Sequence, residues 1–148
     1  MKTEPHVFSI DDLKKDKTSL WDGVRNYQAR NFMRDDMNVG DHILIYHSNA
    51  KPPGIAGIAT VSKANQVDPT ALNKKSEYYD PKATPENPRW YCVEVKFKAK
   101  FKHFVALNDI REQKALEKML VVQKGQRLSI QPVKKSEFEL LEKMGQSH

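Results

Sequence analysis

The sequence predicts an α+β fold, a small and strongly bent β-sheet or barrel with short helices packed around it. One segment is apolar on both faces (His42–His47) and one alternates between apolar and polar residues (Trp90–Phe101), and both patterns are typical of strands. Helix-capping patterns lie before and after them, but helix and strand do not alternate strictly, which argues against a doubly wound parallel sheet. At 148 residues the chain has the length of one domain, so we expect a single domain over residues 1–148.

Composition and charge narrow the class of protein. Apolar residues make up 39% of the chain and charged residues 30%, which predicts a globular protein rather than a disordered or membrane protein. A single cysteine, Cys92, excludes an internal disulfide and favours a reducing compartment, namely the cytoplasm, or the nucleus in a eukaryote. The net charge of +6 favours a polyanionic partner such as a nucleic acid. We expect a monomer with no membrane association.

The first third of the chain contains two predicted helices. Lys2–Phe8 is predicted to be extended, and Ser9–Asp12 has the spacing of a capping box that begins a short helix. Trp21–Val24 is predicted to be a turn, after which Asn26 caps a second helix that continues to about Asp36. On that second helix four apolar residues are expected to face inward, namely Ala29, Phe32, Met33 and Met37.

Two strands and one long loop are predicted in the middle of the chain. His42–His47 has the composition of a central strand, and Ile55–Val61 that of the next strand. Gly57 within the second strand indicates a bulge or a close approach of another backbone. Residues 65–89 hold four of the eight prolines, and we expect them to form an ordered functional loop rather than a linker.

The long strand predicted at Trp90–Phe101 has two chemically different faces. One face is apolar and consists of Tyr91, Val93, Val95, Phe97, Ala99 and Phe101. The opposite face consists of Trp90, Cys92, Glu94, Lys96, Lys98 and Lys100. Lys96, Lys98, Lys100 and Lys102, with Arg89 close by, either contact phosphates or protect a solvated strand from edge pairing. Both interpretations stay open.

The C-terminal third is predicted to contain short helices and a closing strand. Leu107–Met119 carries one or two helices, and Arg127–Gln131 is expected to form a strand. Ser136–Glu139 repeats the capping-box pattern for a last helix, which Gly145 is expected to end.

The stretch from Trp21 to Asn31 combines aromatic, guanidinium and amide side chains in a way that a plain core segment would not. Such a mixture suits the binding of a flat polar base between aromatic faces. Because the second half belongs to a helix with an apolar stripe, only Trp21–Tyr27 is kept as a site candidate, whereas Trp90 is assigned to core or loop packing. Arg30 and Arg34 lie four residues apart on the outer face, where they are expected to contact phosphates.

Other site chemistries find little support in the sequence. The histidines (His6, His42, His47, His103 and His148) lack the spacing of metal ligands. Neither Cys92 nor Ser48 lies in a nucleophile-elbow sequence, and Gly54–Gly57 opens a strand rather than a helix, unlike a phosphate loop. We therefore predict no metal, no cofactor and no catalytic residue.

Six motifs in order resemble one family. They are Lys2–Pro5, Trp21–Arg30, Tyr46–Asn49, Pro53–Gly57, Pro88–Trp90 and Arg127–Pro132. Together they resemble the EVE domain of the PUA-like superfamily, related to the YTH readers of methylated adenine. The resemblance implies a PUA-like β-barrel with flanking helices and a pocket for a modified base, most notably a modified cytosine in DNA, with RNA as the alternative. It also implies an aromatic-rich strand before Lys2, where this chain has only Met1.

Carried over by motif, the resemblance implies a set of base-binding residues on separate segments. They are Lys2, Thr3, Glu4, Trp21, Val24, Arg25, Asn26, Tyr27, Tyr46, His47, Ser48, Asn49, Ser129 and Gln131. The expected phosphate contacts are Arg30, Arg34, Lys96 and Lys98.

Three functions follow from these patterns. The first is a reader of modified bases without catalysis. The second is a small amidohydrolase acting on modified cytidine, because Lys2, Thr3 and Glu4 resemble the Lys/Thr/Glu set of such enzymes. Adjacent strand residues point to opposite faces, however, so Lys2 and Thr3 are not expected to converge. The third is a protein-interaction adaptor that uses residues 65–89.

Overall fold

The computed structural model describes residues 1–146, which form two compact units. The first unit consists of Met1–Lys17, His42–Ala59 and the segment from Phe97 onward, and the second consists of Thr18–Asp41 and Thr60–Lys96. His148 lies outside the described residues.

The described strands form one five-stranded sheet, which confirms the α+β class. In chain order they are β1 (Lys2–Thr3), β2 (Thr18–Leu20), β3 (His42–His47), β4 (Gly54–Val67) and β5 (Tyr91–Ala106). Their order in the sheet is β1-β3-β4-β5-β2. Strand β1 pairs parallel with β3, and β2 pairs antiparallel with the first part of β5.

The helices are short. The α-helices are α1 (Ile10–Asp16), α2 (Tyr27–Asn31), α3 (Leu107–Arg111) and α4 (Lys135–Gln146). A π-helical turn, Phe32–Asp36, continues α2, and three 3₁₀ turns lie at Pro69–Leu72, Lys114–Leu116 and Leu120–Val122. Among the described helices, none is long and apolar enough to cross a membrane.

The two predicted helix starts in the first third of the chain are confirmed. Ser9 Oγ accepts a hydrogen bond from Asp12 N at 3.1 Å, and the Asp12 carboxylate accepts one from Ser9 N at 2.8 Å, so the capping box is complete. Asn26 Oδ1 accepts a bond from Ala29 N at 3.0 Å and caps α2. The second helix is not one regular helix to Asp36, since it changes to π-helical geometry after Asn31.

Strand β3 has the predicted bounds, whereas β4 is twice as long as predicted. Ile43 to Tyr46 are all buried, as expected of a strand covered on both faces. The sequence predicted Ile55–Val61, but β4 continues to Val67 with alternating half-buried and exposed residues. Its second half is polar, so hydrophobicity alone did not reveal it.

The two faces predicted for β5 are wrong at the start of the strand. From Val95 to Phe101 the exposed lysines alternate with buried or half-buried apolar residues, as predicted. Cys92 was assigned to the open face with Trp90, yet both are buried, at 0% and 6% exposure. The start of β5 is therefore covered on both faces, because residues distant in sequence pack over the face that the alternation left open.

Three predictions for the C-terminal third are wrong. Arg127–Gln131 is not a strand, because the chain bends at Ser129 and Ile130. Helix α4 begins at Lys135, before the predicted cap at Ser136, and Glu137 Oε1 accepts a hydrogen bond from Lys134 N at 2.9 Å. Gly145 does not end the helix: it is buried within α4, and a Cβ at this position would overlap the ring of Phe101.

Each unit has its own apolar cluster. The larger one, in the first unit, joins β3, β4 and β5 to the C-terminal helices, and its buried members are Leu44, Tyr46, Ile55, Ile58, Phe101, Val105, Ile110, Leu116, Met119 and Leu141. The smaller one, in the second unit, contains Ala71, Ala83 and Trp90. Gly57 makes the predicted close approach, because a Cβ here would overlap the carbonyl oxygen of Ala99 and lie 2.9 Å from Ile10 Cδ1.

Candidate nucleic-acid interface

Three predicted segments come together in the first unit. In the β1–β3 pair, Lys2 lies opposite Tyr46 and Thr3 opposite His47. Lys2 N donates to Ser129 O at 2.8 Å, and Ser48 N donates to Thr3 O at 2.9 Å. The segments around residues 2, 47 and 129 therefore meet at the end of a parallel strand pair, and we call this place the strand-end site.

A cavity of about 40 Å³ opens beside the strand-end site. Most of its lining is apolar, and three polar side chains among the lining residues, Lys2, Ser129 and Gln131, belong to the predicted base-binding set. A water molecule needs roughly 10–15 Å³ of such space, so the cavity has room for a few waters or the substituted edge of a ring. Lys2 Nζ lies 5.8 Å from the centre of the Tyr46 ring, and burial lowers the pKa of Lys2.

Two polar side chains at this site bond to the protein itself. Thr3 Oγ1 donates to Phe8 O at 2.7 Å. His47 Nε2 accepts a bond from Ile10 N at 3.1 Å, which requires the imidazole to be unprotonated at that atom. Burial lowers the pKa of His47, and Lys100 adds to this effect, whereas Asp11 opposes it.

The remaining predicted residues near the strand ends are exposed. Glu4 is exposed and lies 3.3 Å from His6 Nε2. Asn49 is also exposed and adopts a left-handed backbone with a φ of 50°.

In the second unit, the guanidinium of Arg25 joins separate segments of the chain. Its Nη1 donates to Asp68 Oδ2 at 3.0 Å, and its Nη2 donates to Thr70 Oγ1 at 3.0 Å and to Tyr78 O at 2.8 Å. Its Nε donates to Tyr78 O as well. Arg25 was predicted to contact a ligand, which stays a prediction, and these bonds show that it also holds the 68–78 segment.

Asp68 is the acceptor at the centre of this network, and it is 1% exposed. Besides Arg25, it accepts bonds from Gly23 N at 2.8 Å and from Thr70 N at 2.8 Å. Burial raises the pKa of Asp68, but the bonds from Thr70, Arg25 and Gly23 together outweigh burial and lower it. The residue is therefore a buried carboxylate that is fully hydrogen-bonded.

Tyr27 and Trp90 form a stacked pair beside this network. Their ring centres are 4.8 Å apart and their planes differ by 12°. The Arg25 guanidinium carbon lies 5.0 Å from the Trp90 ring centre, and that of Arg30 lies 4.7 Å from the Tyr27 ring centre. Trp90 Nε1 donates to Asp80 Oδ2 at 2.7 Å. We call these residues, with Arg89, the aromatic–arginine cluster.

The stacked pair of Tyr27 and Trp90 differs from the predicted cage, which was centred on Trp21 and stays a prediction. The aromatic stack of the second unit is built on Trp90, which was assigned to packing, and it is indeed buried with Ala71 and Ala83. Trp21 lies at the end of β2, where its backbone N donates to Val93 O at 2.8 Å. The Pro-Arg-Trp motif at 88–90 includes Trp90, but no local pattern in the sequence indicated its stacking partner.

The predicted phosphate contacts differ in their surroundings. Arg34 forms a two-point ion pair with Asp35, with Nε 2.7 Å from Oδ1. Lys96 and Lys98 are exposed on β5, and Lys96 lies opposite Thr18 of β2. Arg30 is half-buried in the aromatic–arginine cluster rather than on an outer face.

Cys92 has the environment of a core residue. It is fully buried, and burial, together with the nearby carboxylates of Asp68 and Asp22, raises the pKa of its thiol to about 12. A thiol with this pKa is not a nucleophile at neutral pH.

The fold and these two groups of residues define a class of basic α+β protein whose aromatic and cationic side chains suit nucleic-acid binding. Sequence comparison is more specific, because the model of the EVE domain matches residues 1–144. This chain belongs to the EVE domain family. Thymocyte nuclear protein 1 of Danio rerio is 41% identical over an alignment that covers 95% of this chain and 68% of the relative.

Solved structures agree with this assignment. A hypothetical protein from Leishmania major superposes with a TM-score of 0.90 at 52% sequence identity. The superposition covers 98% of this chain and 91% of the Leishmania chain. The human THYN1 protein, in complex with 5-methylcytosine-containing DNA, superposes with a TM-score of 0.89 at 40% sequence identity. The superposition covers 100% of this chain and 96% of the human chain.

Proposed function

We propose that this protein binds DNA that carries a modified cytosine and does so without catalysis. The observation that carries the proposal is the similarity, over the full length of the chain, to a THYN1 protein in complex with 5-methylcytosine-containing DNA. The net charge of +6 is of the sign that a phosphate backbone attracts. Because some relatives are thymocyte nuclear proteins, we propose a nuclear location in a eukaryotic cell.

We propose that the modified base enters the strand-end site. Leu44, Ile55 and Met119 give the cavity an apolar wall that suits a methyl group. Lys2 and Gln131 carry polar groups at the same cavity, and these can bond to the edge of the ring. The other proposed base contacts in this unit are Thr3, Glu4, Tyr46, His47, Ser48, Asn49 and Ser129.

For the second unit, Trp21, Val24, Arg25, Asn26 and Tyr27 remain proposed base contacts, each to be tested by substitution. The proposed phosphate contacts are Arg30, Arg34, Lys96 and Lys98. We further propose that the whole chain acts as one EVE domain and that its sheet belongs to a PUA-like barrel, as family membership implies.

The absence of catalysis is supported by the bonding at the strand end. An amidohydrolase needs a hydroxyl activated by a nearby base. The Thr3 hydroxyl instead donates its hydrogen to the carbonyl oxygen of Phe8. Incubation with N4-acetylcytidine is therefore expected to yield no cytidine, and measurable turnover would contradict this part of the proposal.

The proposal is tested by titrating the protein with fluorescent oligonucleotides that differ at one cytosine. Cytosine, 5-methylcytosine and 5-hydroxymethylcytosine are compared in DNA and in RNA at two salt concentrations. Burial of one methyl group is worth about 0.8 kcal/mol, so we expect 5-methylcytosine DNA to bind about fourfold more tightly than cytosine DNA. Equal affinity for all three bases, with salt dependence alone, would leave only a general anion binder.

Two variants test the proposed base contacts. Leu44→Ala enlarges the cavity beside the proposed methyl position, and Gln131→Ala removes a polar group at its edge. Both are expected to reduce the preference for 5-methylcytosine. The matched control is Gln66→Ala, which removes an amide side chain from the part of β4 that belongs to the second unit. This variant is expected to leave the preference for 5-methylcytosine unchanged.

A further inference from the structure

Arg89 has a strained backbone conformation. Its φ is +64°, in the left-handed region that side chains other than those of Gly, Asn and Asp rarely adopt, and which costs of the order of 1 kcal/mol. Trp90 N donates to Pro88 O at 2.6 Å across Arg89, and Arg30 Nη1 donates to Arg89 O at 2.8 Å, so bonds on both sides of Arg89 hold the conformation. Backbone strain that neighbouring bonds maintain is concentrated at functional sites.

The strained backbone directs the Arg89 side chain to an exposed aromatic ring. Arg89 Nη2 donates to the Tyr27 hydroxyl, and Tyr27 is 48% exposed. The Tyr27 ring stacks on Trp90, whose indole N–H donates to the Asp80 carboxylate. The same carboxylate lies near Arg89, with Asp80 Oδ2 3.6 Å from Arg89 Nη1. Arg30 lies over the same Tyr27 ring. Two guanidinium groups therefore converge on one rigid aromatic surface at the edge of solvent.

The guanidinium groups of this cluster differ in their partners. Arg25 pairs with Asp68, and Arg89 pairs with Asp80. Within residues 1–146, no ion pair involves Arg30, whose Nε and Nη2 donate to the neutral amide oxygen of Asn31. Together with the bond to Arg89 O, three of the five N–H donors of Arg30 bond to protein. The other two donors suit an anion that accepts two parallel bonds.

We propose that Arg30, Arg89 and Tyr27 form a phosphate clamp for the DNA backbone, in which both guanidinium groups bond to phosphate oxygens and the Tyr27 ring supports the adjoining sugar or base. Asp80 and Trp90 act as positioning residues, because they orient Arg89 and the Tyr27 ring without touching the DNA. The inference rests on the proposed function and deepens it by adding Arg89 to the phosphate contacts and by placing Tyr27 beside them.

The test is the salt dependence of binding to an unmodified duplex and to the same duplex with 5-methylcytosine. Each phosphate contact contributes about 0.9 to the slope of log K against log salt concentration. Arg30→Gln and Arg89→Asn are each expected to reduce the slope by about that amount and to weaken binding about fivefold near 0.15 M salt. Asn tolerates the left-handed backbone, so Arg89→Asn removes the charge without strain at this position.

Two further variants control for charge and folding. Lys74→Gln removes an exposed positive charge in the same unit and is expected to change the slope by less than Arg89→Asn does. Arg30→Lys keeps the charge but not the planar donor pair, and is expected to restore most of the slope while leaving binding weaker than in the wild type. Thermal unfolding of each variant is measured alongside.

The outcomes separate this inference from the proposed function. Phosphate contacts carry no base information, so the preference for 5-methylcytosine is expected to persist in folded Arg30→Gln and Arg89→Asn. An unchanged slope in both variants, or a slope that Lys74→Gln lowers equally, overturns the clamp even if the wild type prefers 5-methylcytosine. If the wild type shows no such preference while both variants lower the slope, the clamp stands and the proposed function fails.

Discussion

Asp68→Asn is expected to destabilise the protein strongly, because it removes the charge to which separate segments of the second unit are bonded. The carboxylate accepts four hydrogen bonds, from Gly23 N, Arg25 Nη1, Thr70 N and Thr70 Oγ1. Asparagine has nearly the same shape, but its NH₂ group cannot accept and would face one or more of these donors. The substitution thus preserves packing and changes charge and bonding alone.

The magnitude follows from the burial of the two partners. Asp68 is 1% exposed and the Arg25 side chain 23% exposed, so the pair is mostly but not fully buried. Removing one partner of a buried ion pair costs about 3–5 kcal/mol. Because water reaches Arg25, the lower end of this range applies, and we expect a loss of about 3 kcal/mol in the free energy of unfolding at neutral pH.

The pH dependence of this loss has a definite sign. The pKa of Asp68 is lowered in the folded protein, so its ionised form stabilises the fold at pH values above the unfolded-state pKa of about 3.9. This stabilisation is lost as the pH falls towards the folded-state pKa. The difference between wild type and Asp68→Asn should therefore be full at pH 7 and shrink below about pH 4.

Urea unfolding followed by tryptophan fluorescence measures this difference, and an unchanged m-value shows that the unfolded state is the same. Asp35→Asn is the matched control, because Asp35 pairs with Arg34 at the exposed surface and surface pairs contribute about 0–1 kcal/mol. A loss below about 1 kcal/mol for Asp68→Asn, or one equal to the control, would refute the structural role assigned to Asp68.

Two further variants test the first unit. Gly57→Ala places a Cβ against the Ala99 carbonyl, which cannot move without disturbing β5. We therefore expect the free energy of unfolding in urea to fall by about 1–3 kcal/mol. A fall of only a few tenths of a kcal/mol would contradict the close approach. His47→Gln replaces the imidazole acceptor of the Ile10 N–H with an amide oxygen that does not titrate. Because the pKa of His47 is lowered in the folded protein, its neutral form stabilises the fold fully above about pH 6.5. This stabilisation is lost as the pH falls below that value. The wild-type melting temperature should therefore fall more between pH 7 and 5 than that of His47→Gln, and parallel curves would contradict this.

The features that the sequence predicted well are those fixed by local bonding. A capping box is contained within four residues, so Ser9 and Asp12 revealed the start of α1 without knowledge of the fold. Strand β3 is apolar on both faces and needed no information about its neighbours. The class of fold followed from such local elements.

The features that the sequence missed depend on residues distant in the chain. Gly145 looked like a helix stop because glycine is common after helices, but here it makes room for Phe101, 44 positions away. Strand β2 has only three residues and is defined by its pairing with β5. Trp90 became the centre of a cluster because Tyr27 stacks on it and Asp80 accepts its N–H, and neither partner is visible in a local pattern.

The measurement that tests the central claim most directly is an NMR experiment on the protein bound to DNA with a ¹³C-labelled 5-methyl group on one cytosine. Base recognition at the strand-end site predicts nuclear Overhauser effects between that methyl group and side-chain protons of Leu44, Tyr46 or Met119, which line the cavity. Effects only to neighbouring bases of an intact duplex, with binding retained, would contradict recognition of the modified base at this site.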